Sequence, residues 1–232
     1  MAEDLCSRTF KIDRKFVINR LSSFILESRP EAGPLVVGIT GIDASGKSRM
    51  TTLLAEEIQR LGLGVQIIRL DDFHRLRAER DREGVPEPVL YYEHTFDYQR
   101  LVDEVLTPIR NEGHLETSLM CLDLLADTWT VERSYTVTED TVVLLDGVFL
   151  FRPEIAHFLD LIIFLQTHES TVIDRATKGG IPSSGEEIVL KYQSKYLPAQ
   201  RSYLEEYPSE RNADIILDNN NWEDPIVIKW PQ

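Results

Sequence analysis

The sequence predicts an α/β fold in three layers, a parallel core sheet covered by helices on both faces. Three observations predict it. Short apolar runs at 35–40, 65–70, 141–145, 161–165 and 214–217 alternate with segments of helical periodicity. The first run leads directly into a Gly-rich turn and a helix, LVVGITGIDASGKS over 35–48. The later runs end on polar residues, Asp71, Asp146, Gln166 and Asp218, and parallel sheets bind ligands at the carboxyl ends of their strands.

Composition narrows the function classes. The chain has 232 residues, 42% hydrophobic and 28% charged, enough for a substantial core. Its 39 acidic against 25 basic residues give a formal charge of −14, so no nucleic-acid partner is expected. A local cluster of cations can still hold a nucleotide in such a chain. Cys6 and Cys121 have no metal or redox spacing and read as free thiols of a reducing compartment. The opening MAEDLCSR lacks the pattern of a secretory signal, and no apolar run reaches membrane-spanning length. A cytoplasmic protein with no membrane partner is expected.

In chain order, Ile12, Phe16, Val17, Leu21, Phe24 and Ile25 share one face of a packing helix over 11–28, ended by Pro30, Gly33 and Pro34. After the Gly-rich turn, Thr51, Leu53, Leu54, Ile58 and Leu61 follow at helical spacing, and Gly62 and Gly64 turn the chain into the strand 65–70. Residues 75–95 are polar and arginine-rich; they predict an irregular segment, either a mobile loop beside a ligand or a solvated surface turn. Asp97 reads as the N-cap of a helix carrying Leu101, Val102, Val105 and Ile109. Alternation over 116–125 and 128–137, about Ala126-Asp127, predicts a β-hairpin outside the main sheet. Later come a helix over 169–178, a turn-rich stretch to Gly185, a polar helix over 186–207 interrupted at Pro198, and a short edge strand at 226–228.

Gly41, Gly46, Lys47 and Ser48 satisfy G-x-x-x-x-G-K-[ST]. Such a loop, with Asp43, Ala44 and Ser45 inside it, aims successive backbone N–H groups at phosphate oxygens, and the helix N-terminus behind it adds partial positive charge. Lys47 would bridge the outer phosphates and the Ser48 hydroxyl would hold Mg²⁺. Asp146, ending a buried strand before Gly147, is the expected second carboxylate on the Mg²⁺ side. Of Asp71 and Asp72, adjacent on an extended segment, one is expected to face the ligand, where it could take the proton of an attacking hydroxyl. Arg175 and Lys178 precede Gly179-Gly180, with Lys191, Lys195 and Arg201 beyond. Together they suggest a helical lid, in which Arg175 is assigned to the migrating charge.

The order of motifs resembles the uridine kinase-like small-molecule kinases of the P-loop NTPase superfamily. The likeness spans Leu35 to Asn219 and rests on GIDASGKS at 41–48, LDDFH at 70–74, YYEHTFD at 91–97, LDLLADT at 122–128, LLDGVFLFRPE at 144–154, KYLPAQRSYL at 195–204 and NADIILDN at 212–219. The resemblance implies one P-loop kinase domain over 1–232, with a nucleotide core at 35–70 and 141–218, an acceptor-side insertion at 71–137 and a lid at about 175–195. It implies ATP and Mg²⁺ as cofactors, a nucleoside or similar metabolite as acceptor, and Asp71 as the acceptor-activating carboxylate. Phe73, His74, Tyr91, Glu93 and Asp123 would line the acceptor site, Arg69 would serve the nucleotide, and Arg175 would be a lid cation. The resemblance departs at LDLLADTWT, which lacks the Tyr/His pair that holds a pyrimidine, and at RATKGG, which is poor in arginine. Alternatives are therefore a kinase for pantothenate, glycerate or a sugar phosphate, and a nucleotide-binding regulatory or scaffold protein without transfer. No N-K-x-D guanine signature is present.

Overall fold

In the computed structural model, residues 13–179 and 185–231 are described. The expectations for Ile12, Cys6 and the stretch Gly180 to Ser184 at the tip of the lid lie outside them.

Six strands form one sheet in the order β2-β5-β1-β6-β7-β8: β2 (Val65–Arg69), β5 (Val142–Asp146), β1 (Leu35–Gly41), β6 (Leu161–Gln166), β7 (Ile215–Asp218) and β8 (Ile226–Lys229). All neighbours are parallel except β8, which closes one edge antiparallel to β7. β1 is buried at every residue, as an apolar strand covered on both faces must be. Alternate residues divide between two cores. Leu35, Val37, Ile39, Leu144 and Ile163 meet the helices α1 (Arg14–Glu27) and α2 (Lys47–Arg60). Val36, Val143, Leu145 and Ile162 face the other way, onto a core rich in aromatic rings that includes Phe73, Phe149, Phe151 and Tyr203. This is the predicted three-layer arrangement.

The predicted hairpin is β3 (Leu115–Asp123) and β4 (Thr128–Val137), a separate two-stranded sheet. The Asp97 carboxylate caps the helical turn Tyr98–Leu101 by accepting from the Arg100 amide. Residues 75–95 are more ordered than expected, with helical turns at Arg77–Arg80, Glu87–Val89 and Leu90–His94. The helix around Pro198 also differs from expectation. It continues from Gly185–Lys191 through Tyr192–Tyr196 into Leu197–Glu206, and the middle piece is wound as a wider π turn. A proline lacks the amide that would bond four residues back, and its ring crowds that carbonyl; one widened turn before it relieves both. The same device precedes Pro108, where Val102–Leu106 is π-helical.

Candidate active site

β1 ends on Gly41, and the chain turns through the Gly-rich loop into α2 at the carboxyl edge of the sheet. Only glycine suits Gly46, where φ is 98° and a Cβ would lie 2.7 Å from the Asn219 side-chain nitrogen. The loop is held from behind through main-chain atoms. Asn219, fully buried after β7, donates from Nδ2 to the Ser45 carbonyl at 2.6 Å. The Arg175 guanidinium donates to the carbonyls of Ala44 and Ser45 at 3.3 and 3.2 Å and to those of Asn219 and Asn220 at 2.6 and 3.2 Å. Asp43 is held by side chains, accepting from the Tyr91 hydroxyl at 2.6 Å and from Gln200 Nε2 at 2.7 Å. Meanwhile the amides of Ala44, Gly46, Lys47 and Ser48 have no acceptor among the described residues. Such a set of amides at a helix N-terminus suits phosphate oxygens.

Lys47 Nζ donates to the Ile42 carbonyl at 2.9 Å, so its ammonium lies over the loop. Ser48 is exposed at the first turn of α2. Asp146 ends β5 in register with Ile39 of β1 and Arg69 of β2, is buried, and pairs with Arg69 at 3.1 Å. No cluster of three or more His, Cys, Asp or Glu that could hold a metal occurs among the described residues. One hydroxyl and one carboxylate at the mouth of a phosphate cradle are the sparse donor set that suits Mg²⁺, which keeps waters and phosphate oxygens as its other ligands. The residues present fit both groups.

Across from the loop, the turn Leu70–Phe73 splits the acidic pair. Asp72 is taken by the hairpin, accepting from Arg133 Nε at 2.9 Å and from the Tyr135 hydroxyl at 3.2 Å. Asp71 instead lies in the field of His74, Lys47, Asp43 and Asp146. It is exposed to solvent, with protein gathered around its carboxyl. Desolvation there pushes its carboxyl above the ordinary carboxylate value, against the pull of His74 and Lys47; the like charges of Asp43 and Asp146 add to the rise. His74 Nδ1 donates to the Asp71 carbonyl at 2.8 Å, which leaves Nε2 as the acceptor of the neutral ring, and burial lowers the imidazole below its ordinary value.

Other expected site residues stand elsewhere. Phe73 is wholly buried among core side chains and cannot line a pocket, a correction to its assignment: its side chain supplies the core surface on which the Asp71 turn rests. Tyr91 is also buried, presenting only its hydroxyl to Asp43. Glu93 pairs with Arg152 at 3.4 Å, and that guanidinium sits over the rings of Tyr92 and Tyr98. Asp123 caps the hairpin turn, accepting from the amides of Leu125 and Ala126. Asp218 accepts from the Asn220 amide within its own turn, and Gln166 lines a smaller cavity with Ile42, Thr167 and Gln200. Unforeseen were Gln200, Asn219 and the engagement of Arg175 by four carbonyls. Only Asn219 carried a local signal, its place directly after the last core strand.

A parallel sheet whose central strand delivers a G-x-x-x-x-G-K-S loop, with Asp146 ending the adjacent β5 and Asp71 following β2 beyond it, is the arrangement of the P-loop nucleotide-binding class. The comparisons agree. A structure described as a possible uridine kinase from Bacillus stearothermophilus superposes with a TM-score of 0.69 at 25% identity, covering 87% of this chain and 97% of that one. D-glycerate 3-kinase from Cryptococcus neoformans shares the fold alone, with a TM-score of 0.63 at 15% identity over 91% of this chain and 99% of its own. Among curated proteins, uridine kinase of Limosilactobacillus reuteri is 23% identical over 190 residues, spanning 79% of this chain and 83% of that one. Uridine kinase of Shewanella baltica is 26% identical over 192 residues, 79% of this chain and 86% of its own. No protein-family model matches the sequence. The chain is similar to uridine kinases and to P-loop kinases of other small molecules, which supports its class as an ATP-dependent small-molecule kinase. No helix among the described residues is long and apolar enough to cross a membrane.

Proposed function

We propose that this kinase transfers the terminal phosphoryl group of ATP to a hydroxyl of a small metabolite held beside Asp71. Nucleosides, the acceptors named for its curated relatives, are the first class to test. The observation that carries the reading is the division of labour in the acidic pair: Asp72 is fixed by Arg133 and Tyr135, while the Asp71 carboxylate has no such partner among the described residues and feels the charge of Lys47. In the transfer, the acceptor oxygen forms a bond to phosphorus as the bond to the ADP oxygen breaks. The hydroxyl proton passes to the Asp71 carboxylate. A carboxyl raised above its ordinary value by desolvation is a better proton acceptor for an alcohol, and the charges of His74 and Lys47 oppose the rise.

The free amides of the loop and the Lys47 ammonium hold the triphosphate, and Ser48 and Asp146 would hold Mg²⁺, with Arg69 fixing the Asp146 carboxylate. When bound, Mg²⁺ neutralises charge on the outer phosphates. Arg175 serves the reading by holding the loop: its guanidinium ties Ala44 and Ser45 to the segment after β7. Incubation of the full chain with labelled ATP, Mg²⁺ and a metabolite panel, with mass detection of product, tests the proposal. A phosphorylated alcohol is expected. ATP hydrolysis with no phosphorylated product across the panel contradicts it and favours a nucleotide-binding protein without transfer.

A further inference from the structure

Beside His74, whose ring is bonded to the Asp71 carbonyl, lies a cavity of about 780 Å³, the size of a metabolite site. Its walls carry five cationic residues, Arg77, Arg80, Arg82, Lys191 and Lys195, against three acidic ones. That ratio runs against the composition, in which acids outnumber bases 39 to 25. The chain as a whole repels anions, so an anion can be received only where cations are gathered locally.

The gathering is built into the fold. The turn Arg77–Arg80 is pinned by Asp127, a residue of the hairpin turn in the left-handed region at φ 54°, whose carboxylate accepts from the Arg77 amide at 2.9 Å and meets the Arg80 guanidinium at 3.5 Å. Arg80 Nε is buried and has no partner among the described residues. The helical segment of Lys191 and Lys195 lines the same space, with the Lys191 ammonium 5.9 Å from the centre of the Tyr196 ring, which lines it too. Lys195 forms no ion pair among the described residues, and burial together with the nearby Lys191 and Arg80 charges lowers it below the ordinary lysine value, while Glu87 and Asp81 oppose this. A group so placed gains from an incoming negative charge.

We infer that this cavity receives the acceptor and that the acceptor is an anion. It is a hydroxyl-bearing metabolite whose phosphate or carboxylate lies against Arg80, Lys191 and Lys195 while its hydroxyl is offered to Asp71. The inference rests on the transfer reading above and narrows its substrate class, setting neutral nucleosides below acidic acceptors.

The test compares ribose 5-phosphate, glycerate and uridine as acceptors for the full chain with Mg-ATP. An acidic acceptor is expected to exceed uridine in kcat/KM by about tenfold or more, with an advantage that shrinks as salt is added; which of the two acids is used separates phosphate from carboxylate. Arg80→Gln and Lys195→Gln should each raise KM for that acceptor about ten- to a hundredfold, the weight of a charge-assisted contact, and leave KM for ATP unmoved. Lys195→Arg should retain most of the affinity. Uridine turned over as well as the acids, with KM unmoved in both variants, overturns the inference and leaves the kinase reading standing. If none of the three is phosphorylated, the wider metabolite panel decides the transfer reading. Calorimetry with ribose 5-phosphate and with glycerate then decides the anion site alone: binding lost in the double variant upholds it, and equal or absent binding overturns it. Unchanged circular dichroism spectra show that the variants fold.

Discussion

On the loop side of the cleft most fixed points are main-chain atoms, the Asp43 carboxylate apart. Arg175 and Asn219 grip the carbonyls of Ala44 and Ser45, and the loop's own amides stay open to the cleft. On the acceptor side the fixed points are charged side chains, with Asp72 on Arg133, Asp127 on Arg80, and Glu93 on Arg152. The difference follows from what each wall meets. A triphosphate presents the same oxygens every time, so a backbone shape suffices and tolerates few substitutions. An acceptor is recognised by side chains, which can change identity while the backbone stays put.

The largest effect that would break this contrast is on the loop. Lys47→Ala should lower turnover by about a thousandfold or more, because the cation facing the outer phosphates is lost; unchanged ATP affinity by calorimetry would count against the cradle itself. Gly46→Ala imposes a Cβ both at a positive φ and against Asn219 Nδ2, and should cost about 1–3 kcal/mol in a denaturant titration, along with ATP binding. Arg175→Ala should cost a similar 1–3 kcal/mol through four carbonyls left without their cation. If Arg175 acts only on the migrating charge, stability will hold and turnover alone will fall. The smallest effect is expected at Glu93→Gln, itself half-exposed and 3.4 Å from its partner Arg152: at most about 1 kcal/mol, with KM for the acceptor changed less than about threefold. A larger rise in KM would place Glu93 on the acceptor after all.

The same contrast marks what could be read in the sequence. The loop and its strand were legible because their signal is local: two glycines, a lysine and a serine at fixed spacing after an apolar run. The split of the acidic pair was legible in kind, since neighbours on an extended chain diverge, but nothing local said that Arg133 and Tyr135 would claim Asp72 and so leave Asp71 to the cleft. Asp43 meets Gln200 across 157 positions of chain, and Arg175 meets Ala44 across 131; no periodicity carries contacts at that separation. Phe73 was misread because a motif assigns a residue to a region, whereas the turn decides which side of it faces the core. At Pro198 the breaker was visible but its remedy, a widened turn one step earlier, was not.

Asp71 also links chemistry to stability. Its carboxyl is raised in the folded chain, so the folded state holds the proton more tightly than the unfolded one. Stability therefore falls as pH rises from the unfolded pKa through the folded one, and above that window the ionised group is a burden. Only the ionised form accepts a proton, so kcat/KM should rise with pH over the upper part of the same window, with Lys47 and His74 pulling the limb down and Asp43 and Asp146 pushing it up.

Asp71→Asn brings these together in one comparison of turnover, ATP affinity and thermal midpoint at neutral pH. With Asp71 as the proton acceptor beside the cradle, turnover should drop by about a hundred- to ten-thousandfold, ATP affinity should stay near that of the parent, and the midpoint should rise. Turnover within a few-fold of the parent would contradict that role.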